Sequence, residues 1–262
     1  MKLLVKIGGT LLDERPSRDA LAAQIAGART AGVELAVVHG GGKHMTRYLA
    51  ERGIESRFVN GLRVTSPETI DAVLKVFAGS VNHELVASLN RAGALAVGLT
   101  GIDALLAEAE QMDPELGAVG RVVRSNAAVL NLLTRKGYLP VVACVAGDRQ
   151  GNIYNVNADQ MAVACAASFG AEQLIFLTDV PGVLDSSKAV RALLTANESR
   201  RLITEGVATG GMQAKLQAAI AALEAGVGSV RIAPGAAADV LPRLLAGEAI
   251  GTQIVLAEGR AT

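Results

Sequence analysis

Tryptophan is absent from the chain, aromatic residues make up only 3% of it, and it carries just two cysteines, Cys144 and Cys165. Both cysteines stand inside apolar runs and far from any C-x-x-C spacing. Neither a disulfide framework nor a zinc site is indicated, and both read as buried thiols. Net charge is lacking as well, because 25 Lys plus Arg balance 25 Asp plus Glu. Such a chain has no excess field to gather nucleic acid or an anionic membrane, so a small molecule is the expected partner. No stretch reaches the ~18 uninterrupted apolar residues that a membrane span needs, and the N-terminus has no signal-like apolar segment, so a cytoplasmic protein is expected.

Familiar fingerprints are missing too. There is no G-x-G-x-x-G, no G-x-x-x-x-G-K-[ST] can be aligned at Lys43, and no G-x-S-x-G occurs, which counts against a dinucleotide dehydrogenase, a P-loop NTPase and an α/β hydrolase. His39, His44 and His83 have no spacing that suggests a metal site or a catalytic triad.

What is present is a chain of 262 residues, half of them hydrophobic, punctuated by 29 glycines. Short apolar runs alternate with helical periodicity throughout, which predicts an α/β fold with a mainly parallel sheet covered on both faces. Strands are expected at Leu3–Ile7, Glu34–Val38, Leu95–Leu99, Leu139–Cys144, Gln173–Leu177, Ser229–Ile232 and Gly251–Val255. Helices are expected near 17–31, 44–52, 67–91, 126–136, 157–169, 196–205, 212–225 and 238–246. A hairpin is expected at Phe58–Val64 around Asn60-Gly61, and a solvent-facing flap at about 104–124. No Pro/Gly/Ser linker divides the chain, so it reads as one domain, 1–262, whose halves share one sheet.

Glycine corners follow the first two strands: Gly8-Gly9-Thr10 and His39-Gly40-Gly41-Gly42-Lys43. Without a Cβ, such corners let backbone N–H groups approach an anion, although each also serves as a tight strand-to-helix turn. Lys6 interrupts an apolar strand at the sheet's carboxyl edge, where α/β ligand crevices form; a snorkelling lysine fits there equally. Lys215 stands near a helix start, where a cation opposes the macrodipole unless an anion lies nearby. Asn157 can cap a helix whose first turn holds Asp159, either as a functional carboxylate or as a complement to the dipole. Arg63 offers a planar fork for a carboxylate, or a solvated hairpin side chain.

Taken together, Lys6-Ile7-Gly8-Gly9, His39-Gly40-Gly41-Gly42, Asn60-Gly61-Leu62-Arg63-Val64-Thr65, Asn155-Val156-Asn157-Ala158-Asp159-Gln160, Thr178-Asp179-Val180-Pro181-Gly182 and Gly210-Gly211-Met212-Gln213-Ala214-Lys215 resemble the N-acetylglutamate kinase branch of the amino acid kinase family. The resemblance spans about residues 2–255. It implies a three-layer α/β/α sandwich, with residues up to about 168 binding substrate and residues from about 169 binding nucleotide. It implies ATP-dependent phosphorylation of the γ-carboxylate of N-acetyl-L-glutamate in arginine biosynthesis, with Mg²⁺ carried on the ATP phosphates and no metal held by the protein itself. By motif, Lys6, Lys215 and Asp159 match the catalytic positions, and Gly41, Gly42, Arg63 and Asn155 the substrate-binding ones. Gly8, Gly9, Asp179, Val180, Pro181, Gly182, Val183, Leu184, Val207, Ala208 and Thr209 match the nucleotide-binding ones. A homodimer insensitive to arginine is expected, since Lys6 comes too early for the extra N-terminal helix of the hexameric members. The alternatives are a kinase of carrier-linked aminoadipate or glutamate, an N-succinylglutamate kinase, and a non-catalytic ligand-sensing module that kept the fold.

The chemistry suits these residue types without the resemblance. A side-chain carboxylate is already ionised at neutral pH, so phosphorylating it needs no general base. It needs cations and amides that neutralise the charge where two anions meet.

Overall fold

The structure, a computed structural model, describes residues 1–185 and 187–257. The strands are β1 (Lys2–Ile7), β2 (Glu34–His39), β3 (Phe58–Val59), β4 (Leu62–Arg63), β5 (Ala96–Thr100), β6 (Ala107–Gln111), β7 (Val119–Ser125), β8 (Leu139–Ala143), β9 (Val145–Gly147), β10 (Ile153–Val156), β11 (Gln173–Thr178), β12 (Leu193–Thr195), β13 (Ser229–Pro234) and β14 (Thr252–Val255). The α-helices are α1 (Arg15–Thr30), α2 (Gly42–Ala50), α3 (Pro67–Val73), α4 (Asn82–Arg91), α5 (Ala128–Arg135), α6 (Ala158–Phe169), α7 (Ala196–Thr204), α8 (Gly210–Glu224) and α9 (Val240–Leu245). A π-helical stretch, Leu74–Val81, joins α3 to α4.

Eight strands form one sheet in the order β12-β14-β13-β11-β1-β2-β8-β5. All neighbours pair in parallel except β13 and β14. The central strands are apolar along their whole length because both faces are covered: Leu3, Leu4, Val5, Leu35, Val37, Val141, Leu174, Ile175 and Phe176 are all sealed from solvent. Helices α1, α4 and α9 pack together on one face, and α5, α6, α7 and α8 on the other. After β1 the chain moves to β2, toward the β5 edge; after β11 it moves to β12 at the opposite edge and then back to β13 beside β11. Adjacent strands whose connections diverge leave a crevice beyond their carboxyl ends, and the glycine corners and Lys6 lie there.

Each expected strand and helix is found, with ends shifted by a few residues. Segment 104–124 differs from the solvent-facing flap expected of it. It holds the antiparallel pair β6–β7, which closes with β9 and β10 into a small four-stranded unit. Leu106, Ala107, Ala109 and Val119 are buried there. Strands of three or four residues, such as β9 and β10, are too short for a period of two to show in the sequence.

Candidate active site

Lys6 is the fifth residue of β1, flanked in register by Phe176 of β11 and Val38 of β2. Among those apolar neighbours it is only 7% exposed, and an ammonium group so placed requires a partner. That partner is Asp159, whose Oδ1 lies 2.6 Å from Lys6 Nζ. Asp159 is in the first turn of α6, and the helix starts there because the Asn157 side chain accepts the Asp159 amide at 2.9 Å and the Gln160 amide at 3.3 Å. Lys215, from the second turn of α8, brings its Nζ to 3.7 Å from Asp159 Oδ2. One carboxylate is thus held between two cations. Burial alone would raise the Asp159 carboxyl, but the charges of Lys6 and Lys215 outweigh it and hold the group below the usual carboxylate range.

The two glycine corners meet beside this cluster. Gly8 closes on β11, donating its N–H to the Leu177 carbonyl at 2.8 Å. A Cβ added to Gly9 would stand 3.1 Å from the Gly42 nitrogen and 3.3 Å from that of Gly41, so the backbones approach as only glycines allow. Gly41 precedes α2, and no side chain caps that helix, which leaves its first amides free for an anion.

Arg63 stands on β4, across a hairpin whose turn residues Asn60 and Gly61 have φ of 50° and 78°, as the Asn-Gly pair predicts. Its guanidinium donates to Ser56 Oγ, to Thr46 Oγ1 at 2.9 Å and to the Gly42 carbonyl at 3.3 Å, and stacks over Phe58 at 4.5 Å. All these partners are neutral, and burial holds the group below the usual arginine range. No carboxylate pairs with it among the described residues. Asn155, on β10, donates to Thr65 Oγ1 at 3.1 Å, and Thr65 donates to the Arg63 carbonyl at 2.8 Å. Gly42, Arg63 and Asn155 are therefore joined by one run of hydrogen bonds.

A cleft of about 1000 Å³ opens between the hairpin, β7 and the starts of α6 and α8. Of the residues given a role in the sequence, Asn157, Asp159 and Lys215 line it. Gln160 and Gln213, present in the motifs but given no role, line it as well, as do Arg121 and Gln217, which were missed. The available signal for Gln217 was its place a single turn after Gln213 on α8. Asp179–Leu184 lies elsewhere, on the loop after β11, where Gly182 and Val183 are buried and Asp179, Pro181 and Leu184 exposed. That loop is anchored by the Val183 amide on Thr252 Oγ1 at 2.8 Å. Val207, Ala208 and Thr209 lead into α8, with Val207 exposed and Ala208 buried. Cys144 and Cys165 are both buried, with thiols pushed up to about 12 by their surroundings, and are inert.

Residues 1–234 match the amino acid kinase family. The chain belongs to the amino acid kinase family. An acetylglutamate kinase of Solibacter usitatus is 76% identical over 98% of this chain and all of its own length. One from Koribacter versatilis is 42% identical over 97% of this chain and 99% of its own. A solved structure from Streptococcus mutans UA159 superposes with a TM-score of 0.85 at 28% identity, covering 98% of this chain and 99% of that one. As an amino acid kinase, the chain carries the family's mainly parallel α/β sheet and uses ATP. No described helix is long and apolar enough to cross a membrane.

Proposed function

We infer that the chain is an N-acetylglutamate kinase, transferring the γ-phosphoryl group of ATP to the γ-carboxylate of N-acetyl-L-glutamate in arginine biosynthesis. The observation that carries this reading is the buried Lys6–Asp159–Lys215 cluster beside two facing glycine corners, set in a chain 76% identical to an acetylglutamate kinase.

The roles follow from charge. Lys6 and Lys215 neutralise the transferring phosphoryl group as it passes between two anionic oxygens, and Asp159 holds both ammonium groups in place. Stabilisation of this kind, aimed at charge that develops in the transition state, is the principal device of phosphoryl transfer. The Gly9, Gly41 and Gly42 amides complete an anion cradle, and Gly8, its own amide held by the Leu177 carbonyl, fixes the first corner against β11. Arg63, with a charge that only neutral groups accept, takes a carboxylate of the acyl amino acid, and Asn155 fixes the substrate beside it. The segments Asp179–Leu184 and Val207–Thr209 hold the nucleotide. Residues up to about 168 thus handle the acceptor and those beyond it the donor, with Lys6 and Lys215 drawn from the two sides. Mg²⁺ arrives on the ATP phosphates. A homodimer belongs to the same reading, because β5 ends the sheet with no strand beyond it and Leu95 beside it is 63% exposed.

The test is to trap acyl phosphate as hydroxamate from purified protein with ATP and Mg²⁺. N-acetylglutamate, N-succinylglutamate, N-acetylaminoadipate and free glutamate are compared in parallel. Preference for N-acetylglutamate is expected. Turnover of N-succinylglutamate in preference to it would reassign the substrate, and no turnover of any would overturn the reading.

A further inference from the structure

His39 is the last residue of β2 and is wholly buried. Its Nδ1 lies 3.0 Å from the Gly40 carbonyl oxygen, and its Nε2 lies 3.0 Å from Asn82 Nδ2. The same Nδ2 donates to the Val141 carbonyl of β8 at 3.0 Å. Carbonyls only accept, so Val141 fixes which end of the Asn82 amide faces it, and Gly40 fixes the imidazole proton on Nδ1. Nε2 is then a lone-pair acceptor for the second N–H of Asn82. Burial pushes the imidazole down to about 4, so it stays neutral, as that acceptor role requires.

Peptide planarity carries this arrangement to the glycine corner. In a trans peptide the C=O and the following N–H point in opposite directions, and the described residues hold no cis bond. A Gly40 carbonyl drawn inward to His39 therefore turns the Gly41 N–H outward. Its nitrogen stands beside Gly9, where an added Cβ would lie 3.3 Å from it, and among the described residues it has no acceptor. Asn82 can reach His39 because it opens α4 directly after the π-helical stretch, and because Gly98 on β5 leaves room for its amide; a Cβ there would collide with Asn82 Oδ1.

We propose that His39 and Asn82 are positioning residues for phosphoryl transfer: Asn82 clamps a neutral imidazole that holds the Gly40 carbonyl inward and so aims the Gly41 amide at the transferring group. The proposal rests on the kinase reading above. Neither side chain touches substrate; both act through the corner.

The test pairs His39→Leu, which fills the space without a donor, with His39→Asn, whose amide nitrogen takes the place of Nδ1–H. With His39→Leu, kcat is expected to fall roughly 10- to 100-fold, as for a reacting group misplaced by about an ångström, while KM for ATP stays within about twofold. With His39→Asn most of kcat is expected to return. A His39→Leu enzyme with the wild-type kcat, or a His39→Asn enzyme no better than His39→Leu, would overturn the proposal. Should His39→Leu fail to fold, Asn82→Ser, which leaves Nε2 without its donor, is expected to lower kcat in the same way, and an unchanged kcat there would overturn it too. The nitrogen NMR spectrum of the wild-type imidazole reads the clamp without turnover. It is expected to show the Nδ1–H tautomer at neutral pH, and an Nε2–H tautomer would overturn the clamp even in an active kinase. Loss of the kinase reading is recognised separately, by a wild-type protein inert toward every acceptor.

Discussion

At the scale of single residues, Asp159 is the pivot, because it compensates two cations that burial would otherwise penalise. Removing one member of a buried ion pair typically costs about 3–5 kcal/mol, since the other is left uncompensated. Asp159→Asn is therefore expected to lower unfolding stability in urea by an amount of that order. The effect should depend on pH with a definite sign. The folded carboxyl is held below its ordinary value, so its contribution is present in full above the unfolded value of about 3.9. It is lost as the pH falls from there through the lower folded value. Wild-type stability is thus expected to drop more steeply than that of Asp159→Asn as the pH falls below about 4, and parallel profiles there would contradict the pairing. Lys6 and Lys215 were visible in the sequence as cations in unfavourable places, Asp159 as an acid in a helix's first turn and Arg63 as a hairpin fork. Their pairing was not, because it depends on α6 and α8 lying side by side on one face of the sheet.

At the scale of elements, the site is built from the starts of helices and the ends of strands. Asn157, Ser66 and Thr195 accept amides at the starts of α6, α3 and α7, each a side chain of the type that caps helices. Asn157 was legible as a cap from residue type and position. The role of the π-helical stretch was not, since Leu74–Val81 reads as ordinary amphipathic helix. It seats Phe77 against the second corner, where a Cβ on Gly41 would lie 2.9 Å and 3.0 Å from the ring. The φ of Gly41 is −169°, so the demand for glycine there comes from packing rather than from backbone strain. Gly41→Ala is accordingly expected to cut kcat by about 100-fold through displacement of the corner. Adding Phe77→Leu should recover part of that loss in a double-mutant cycle. Strictly additive effects would show that the ring does not set the position of Gly41.

At the scale of the whole molecule, a continuous sheet of eight strands brings together residues 209 positions apart in sequence, Lys6 and Lys215, around Asp159. The sheet and both helical layers were legible because buried parallel strands are apolar throughout and the covering helices repeat with their own period. The small four-stranded unit of β6, β7, β9 and β10 was hidden, β9 and β10 being short and the outward faces of the unit charged, as in the Glu108–Arg149 and Glu110–Arg121 pairs. The open β5 edge leads to an expectation for assembly. Wild-type protein should sediment as a dimer of 26.8 kDa chains, and Leu95→Arg should give monomers; a wild-type monomer would contradict the role given to that edge. The central claim is that transfer is driven by charge neutralisation from two lysines ordered by one carboxylate, and Lys215→Ala tests it most directly in steady-state assays with ATP and N-acetylglutamate. The account predicts a kcat lowered by about 10²–10³, as for loss of one transition-state donor, with KM for N-acetylglutamate little changed; an unaltered kcat, or a loss confined to KM, would contradict it.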